Sequence, residues 1–172
     1  MYTHLLISYG ELALKGLNRP RFEAQLIANI RQALPGIPPE RIYRTRGRCF
    51  VRLEGEPIDE VLPALGRVFG LVAISPTIAV AKDLAQIQEA AWQVLKERLE
   101  RGIPTTFKLE SRRADKSFPL TSPKLSQTVA AELVPRAALE YPGLLSVDVH
   151  KPELLIQIDT RDEGAYVYGE SY

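Results

Sequence analysis

Arg41-Ile42-Tyr43-Arg44-Thr45-Arg46-Gly47-Arg48-Cys49-Phe50-Val51-Arg52-Leu53 holds two short β-prone runs joined through Arg46-Gly47, the pattern of a β-hairpin. Side chains alternate between the faces of a strand, so Cys49, Val51 and Leu53 share one face and Arg46, Arg48, Phe50 and Arg52 the other. The first set is apolar and must be core. The second puts three guanidinium groups around one aromatic ring, which suits phosphates and an unpaired base. The competing reading is a solvated face with Phe50 packed on a neighbouring element. Cys49 points inward, where a thiol acts as a small core residue.

Working outward, Tyr2 to Tyr9 is β-branched and aromatic enough for a strand. Phe22, Leu26, Ile30 and Leu34 then recur every four residues, as on an amphipathic helix, and Pro35-Gly36 stops it. After the hairpin, Ile58, Val61, Leu62 and Leu65 mark a second helix, and Leu71 to Ile78 a further strand. The order β-α-β-β-α-β predicts a split βαβ, or ferredoxin-like, domain over residues 1–76.

A second domain is expected over residues 77–172. Asp83 caps a helix with Leu84, Ile87, Ala91, Val94 and Leu95 on its buried stripe. Thr105 to Ser111 reads as a strand. Ser122 as cap, with Pro123 at the first helical position, opens a helix carrying Leu125, Val129 and Leu133, which Pro135 should kink or end. Strands at Ser146 to His150, Leu154 to Thr160 and Ala165 to Tyr168 complete an α-β-α-β-β-β order. The fold class is α+β. No flexible linker separates the halves near residues 75–80, so the two domains are expected to pack together.

Composition is that of a globular protein, 45% hydrophobic and 25% charged, with a net charge of only +1. Local patches therefore matter more than the total. Arg41 to Arg52 contains five arginines and no acid, and Lys108 to Lys124 five basic residues against Glu110 and Asp115. One cysteine leaves no pair for a disulfide or a metal, which fits a reducing compartment. The N-terminus lacks a signal-peptide pattern, and no apolar run approaches the roughly 20 residues of a membrane helix. The expected setting is the cytoplasm, away from a membrane. Walker-type loops, G-x-G-x-x-G, H-E-x-x-H and nucleophile elbows are all missing. His4 and His150 fit ordinary surface roles, and Glu153, Asp159, Asp162 and Glu163 around Arg161 read as a solvated face. No catalytic residues, metal ligands or cofactor site are expected in this chain.

Two stretches carry the functional signal. In Phe107-Lys108-Leu109-Glu110-Ser111-Arg112-Arg113-Ala114-Asp115-Lys116-Ser117-Phe118-Pro119 a half-buried strand runs into a basic loop. The helix N-terminus follows at once, and its free N–H groups and positive dipole end complete a phosphate cradle. Phe118 fits a core anchor; pairing of Arg112 and Arg113 with acids of the same fold is the bland alternative. The other stretch, Tyr9-Gly10-Glu11-Leu12-Ala13-Leu14-Lys15-Gly16-Leu17-Asn18-Arg19, is a glycine-bracketed turn offering Lys15, Asn18 and Arg19 to a ligand.

These residues resemble a known family. The Tyr9–Arg19 stretch, followed by Phe22 and Asn29-Ile30, is similar to the opening of the tRNA 4-thiouridine synthetases, or tRNA sulfurtransferases. Gly47-Arg48-Cys49-Phe50-Val51 matches that family's next landmark. Arg112 to Pro119, with Ser122-Pro123, resembles the diagnostic stretch of its THUMP domain, and Gly164-Ala165-Tyr166-Val167-Tyr168 that domain's last strand. The resemblance implies a ferredoxin-like domain and a THUMP domain that together bind the acceptor stem and single-stranded 3′ end of tRNA. It implies that a following domain, with a Ser-Gly-Gly-x-Asp-Ser loop missing here, uses ATP to activate uridine 8 for sulfur insertion. The family is also tied to thiamine thiazole synthesis, and a cysteine desulfurase would supply sulfur to the full-length protein. The chain itself is expected not to be an enzyme; association into a homodimer is open.

Carried over to this sequence, the expected RNA contacts are Lys15, Asn18 and Arg19, then Arg46 and Arg48, then Arg112, Arg113 and Lys116, with Lys108 and Lys124 as weaker candidates. Two other functions fit parts of the pattern. Arg46-Gly47…Phe50-Val51 partly matches an RNA-recognition motif, although Arg48 and Leu53 stand where that motif wants aromatics. A ferredoxin-like unit can also be a regulatory domain that binds a small ligand or a protein.

Overall fold

Alternation in the hairpin builds the first sheet. The structure, a computed structural model, describes residues 1–10, 18–45 and 48–172. One unit comprises Tyr2–Pro76 with Ser171–Tyr172, and the other Thr77–Glu170 with Met1.

In the first unit the elements are β1 (His4–Tyr9), α1 (Arg19–Ala33), a 3-10 turn (Pro39–Arg41), β2 (Ile42–Thr45), β3 (Arg48–Arg52), α2 (Ile58–Leu65) and β4 (Leu71–Val80), the last continuing into the other unit at Thr77. The strand order is β2-β3-β1-β4. β3 lies antiparallel between its neighbours, with Leu5 and Ile42 both opposite Val51 and Ile7 opposite Cys49. This register brings the apolar alternates onto one face, where Leu26 and Ile30 of α1 and Val61 and Leu65 of α2 bury them. Each fully buried Leu or Ile contributes about 1.5–3 kcal/mol, so this face alone accounts for the helix positions. α1 begins at Asn18, whose carbonyl accepts from Phe22 N–H at 2.9 Å, and closes before Pro35 with Leu34 N–H on Ile30 O at 3.0 Å. The last residues return to this unit: Ile74 and Tyr172 exchange both backbone hydrogen bonds at 2.9 Å, and the Ser75 and Ser171 hydroxyls lie 2.8 Å apart.

The second unit adds α3 (Leu84–Glu100), β5 (Thr105–Arg113), α4 (Ser122–Glu140), β6 (Leu145–Val147), β7 (Leu154–Thr160) and β8 (Ala165–Tyr168) in the order β4-β8-β7-β5-β6. β5 runs parallel to both β6 and β7, while β8 is antiparallel to β7 and β4. Trp92, Leu95 and Leu99 of α3 and Leu125, Val129 and Leu133 of α4 cover Phe107, Ile156 and Val167 of the sheet. Asp83 caps α3 as expected, its carboxylate accepting from Gln86 N–H at 3.1 Å. Gly164 is required by a close approach: a Cβ there would lie 2.9 Å from the carbonyl oxygen of Val80.

Three local expectations are corrected. The cap of α4 is Thr121, not Ser122, and it makes no side-chain bond; Ser122 is already helical, with Pro123 still in the first turn. Pro135 does not end α4, which continues to Glu140. A proline inside a helix costs about 3 kcal/mol, but Leu133 and Ala137 on either side are fully buried and hold the helix together across it. β6 stops at Val147 because the Asp148 carboxylate accepts from His150 and Lys151 N–H at 2.9 and 3.0 Å, turning the chain away from the sheet.

Candidate nucleic-acid interface

The site in the second unit is built where β5 runs out. Ala114 and Asp115 N–H both donate to Thr160 O, at 2.9 and 3.1 Å, which ties the start of the basic loop to the end of β7. The Asp115 side chain then turns inward. It accepts from Lys82 Nζ at 2.5 Å, from Ser117 N–H at 2.9 Å and from the Ser117 hydroxyl at 2.6 Å. The Lys82 ammonium, followed by the Ser117 bonds, holds the Asp115 carboxyl down at about 2. Phe118 is the core anchor expected of it, 5% exposed. The loop is thus pinned at Asp115 and Phe118, with Lys116 left on the outside.

Arg112 and Arg113 fare differently. Arg113 is half-buried and donates from Nη1 to the Phe118 carbonyl at 3.1 Å, so it braces the loop. Arg112 is exposed and lines an open cleft of about 390 Å³ together with Ser122, Ser126 and Gln127 of α4 and Gln157 of β7. No acid occupies the first turn of α4 and Thr121 leaves the cap open. The Ser122 and Lys124 amides precede the first intrahelical bond, from Leu125 N–H to Thr121 O at 2.8 Å. The carboxylates of Glu110 and Asp159 also line the cleft, each paired with a cation of the chain, Lys108 and Arg161. The guanidinium, the open helix N-terminus and the fringe of hydroxyls and amides form an anion-binding arrangement beside them. Among the described residues, the charged ends of Arg112, Lys116 and Lys124 have no protein partner. Lys108 points its ammonium at Glu110, 3.0 Å away, which weakens its claim.

Asp159, which also borders the cleft, corrects the solvated-face expectation. Asp159 and Arg161 are buried and paired at 3.3 Å, whereas Asp162 and Glu163 are exposed. Sequence reading missed Ser126, Gln127 and Gln157, because single hydroxyl and amide residues on a helix or strand carry no motif. It also missed Lys82, whose partner lies 33 residues away.

The hairpin arginines of the first unit are mostly committed to its own carboxylates. Arg41 is buried against Glu56, Arg52 lies 3.3 Å from Glu54, and Arg44 and Arg19 both engage the buried Glu23. The Arg41 bond, with the Glu54 backbone second, depresses the Glu56 carboxyl to about 2. Phe50 overturns the stacking expectation: its ring is 1% exposed, meeting His4 at 5.9 Å edge-on and Tyr43 at 5.8 Å. It offers no surface to a base. Burial and then Arg52 push the His4 imidazole below its ordinary range, so this histidine is a half-buried packing partner. Cys49 is buried as expected, its thiol pushed up to about 12. Asn18 is exposed at the start of α1, Arg48 is half-buried on β3, and Lys15 and Arg46 lie outside the described residues. Among the described residues there is no group of three His, Cys, Asp or Glu able to hold a metal, and no helix long and apolar enough to cross a membrane.

The pairing of these two units has a known counterpart. Residues 81–170 match the THUMP domain model, and residues 4–75 the ThiI ferredoxin-like domain model. The chain belongs to the THUMP family. Its THUMP and ferredoxin-like domains are those the motifs implied. A Moorella thermoacetica protein named probable tRNA sulfurtransferase is 45% identical over 98% of this chain and 40% of its own length. Among solved structures, a 4-thiouridine synthetase in complex with RNA and bound ATP superposes with a TM-score of 0.82 at 25% identity, covering 99% of this chain and 42% of that one. The Pyrococcus horikoshii protein PH1313 gives 0.80 at 28% identity, covering 98% of this chain and 54% of its own. The chain thus spans about 40% of the length of the curated relatives it matches.

Proposed function

We propose that this chain is a tRNA-binding module of a tRNA sulfurtransferase, engaging the acceptor stem and single-stranded 3′ end so that uridine 8 is presented for ATP-dependent sulfur transfer elsewhere. The observation that carries this reading is the cleft between the end of β5 and the open N-terminus of α4, with Arg112 at its rim. Its donors are suited to phosphate oxygens, and its hydroxyls and amides to the polar edges of an unpaired nucleotide. The 4-thiouridine synthetase that superposes on the chain was captured with RNA, and the similar curated proteins bear the sulfurtransferase name. By itself the chain binds and does not catalyse. ATP, the sulfur donor and any desulfurase partner belong to chemistry outside it, in the cytoplasm where tRNA is modified.

The burial of Phe50 counts against an RNA-recognition-motif function, since that mode needs exposed aromatics on the central strands. A gel-shift series with intact tRNA, tRNA trimmed of its 3′ single strand and a random duplex tests the proposal. Intact tRNA is expected to bind most tightly, with the trimmed form clearly weaker. Equal affinity for all three would reduce the chain to a non-specific polyanion binder. Measurable ATP turnover by the pure chain would contradict the non-catalytic assignment.

A further inference from the structure

The first unit displays an aromatic ring that folding does not use. Phe69 is 92% exposed in the turn between α2 and β4, although its neighbour Val68 packs against the core. The turn itself is well anchored. Gly70 has φ +94°, and a Cβ there would come within 3.3 Å of Cζ of Phe22. The exposed ring therefore stands on backbone fixed from below.

Around it is a pocket of about 290 Å³ lined by Asn29, Gln32, Ala33, Arg67, Val68 and Phe69. The lining contains one cation, two amides and no carboxylate. Arg67 is exposed, and its Nε donates to the Pro63 carbonyl at 3.4 Å. Asn29 Oδ1 accepts from Gln25 at 2.8 Å, leaving its NH₂ for a ligand.

We infer that Phe69 is a stacking platform for one unpaired base of the bound RNA, with Asn29 and Gln32 facing the base edge and Arg67 an adjacent phosphate. A flat exposed ring with amides and an arginine is the chemistry that single-stranded nucleic acid exploits, whereas a protein-docking patch would be more apolar and would not need the ring to be aromatic. The inference rests on the tRNA-binding reading but concerns a different surface from the α4 cleft.

The test uses filter binding of an unmodified tRNA transcript, with a blunt duplex as comparison. Phe69→Ala and Phe69→Leu should each lower tRNA affinity by about tenfold, Phe69→Tyr should retain it, and none should alter duplex binding. In Phe69→Trp the new indole should be quenched on tRNA addition, against a background from Trp92 that stays shielded because it is 1% exposed. Full affinity in Phe69→Leu, or no quenching in Phe69→Trp, overturns the stacking role. If wild-type protein fails to bind tRNA at all, the underlying reading falls; if it binds and only the Phe69 variants are silent, this inference alone falls.

Discussion

The guanidinium of Arg136 lies 4.3 Å from the centre of the Trp92 ring, directly after the proline inside α4. The same side chain reaches Glu89 at 2.9 Å, Glu140 at 3.3 Å and Glu132 at 3.9 Å, so it ties α3 to α4 on both sides of Pro135. Arg136→Ala should destabilise the second unit by about 1 kcal/mol, mainly through the lost cation–π contact, since the ion pairs are partly solvated. Arg136→Lys should recover only part, because an ammonium cannot stack. Trp92 is the only tryptophan, so a urea titration followed by its emission reads this unit directly; an unchanged midpoint would remove the stacking argument.

Acid should unfasten the basic loop. Asp115 has its carboxyl lowered from 3.8 to about 2 by Lys82 and Ser117, so ionised Asp115 favours the folded state. That contribution is present above the unfolded value near 3.8 and disappears as pH falls through about 2. Asp115→Asn should be less stable than wild type at pH 6, and the gap should close between pH 4 and 2 in urea melts. A gap constant over that window would mean that packing, not charge, sets the loop.

Arg112 and Lys108 should separate in RNA binding although they lie four residues apart on one strand. Among the described residues Arg112 has no charged partner, while Lys108 is tied to Glu110. Arg112→Ala should weaken tRNA binding about tenfold and reduce the magnitude of the log–log salt slope by about 0.7–0.9. Lys108→Ala should change both by much less. Identical salt titrations for the two variants would place the interface elsewhere.

Cys49 should resist thiol reagents in the folded protein. It is 1% exposed and its pKa is pushed up to about 12, chiefly by burial, so both access and thiolate are withheld. Reaction with an aromatic disulfide should appear only along the urea unfolding curve. Rapid labelling without denaturant would show that β3 opens on its own.

The order of elements was legible because each buried stripe repeats at the spacing of its own geometry, as Leu26 and Ile30 do on α1 and Cys49 and Val51 do on β3. What alternation cannot convey is whether a second face is wet. Phe50 shares a face with arginines, yet rings on two adjacent strands close over it. Nor does spacing reveal partners distant in the chain: the commitment of Arg44 to Glu23 depends on β2 lying beside α1. Pro135 does not end α4 because local propensity is weaker than two buried neighbours and the Arg136 tie. At the candidate site, the run from Arg112 to Phe118 was legible as a basic loop after a strand, but dividing it into an exposed Arg112, a bracing Arg113 and an inward Asp115 required coordinates.

The two-way bonding of Tyr172 with Ile74 makes residues 77–170 an insertion within the first unit and not a sequel to it. A fragment cut after Pro76 would keep every helix of that unit and still strip Ile74 of both its hydrogen bonds to Tyr172. Engineers wishing to isolate it would do better to excise the insert and splice Pro76 to Ser171 through a short linker.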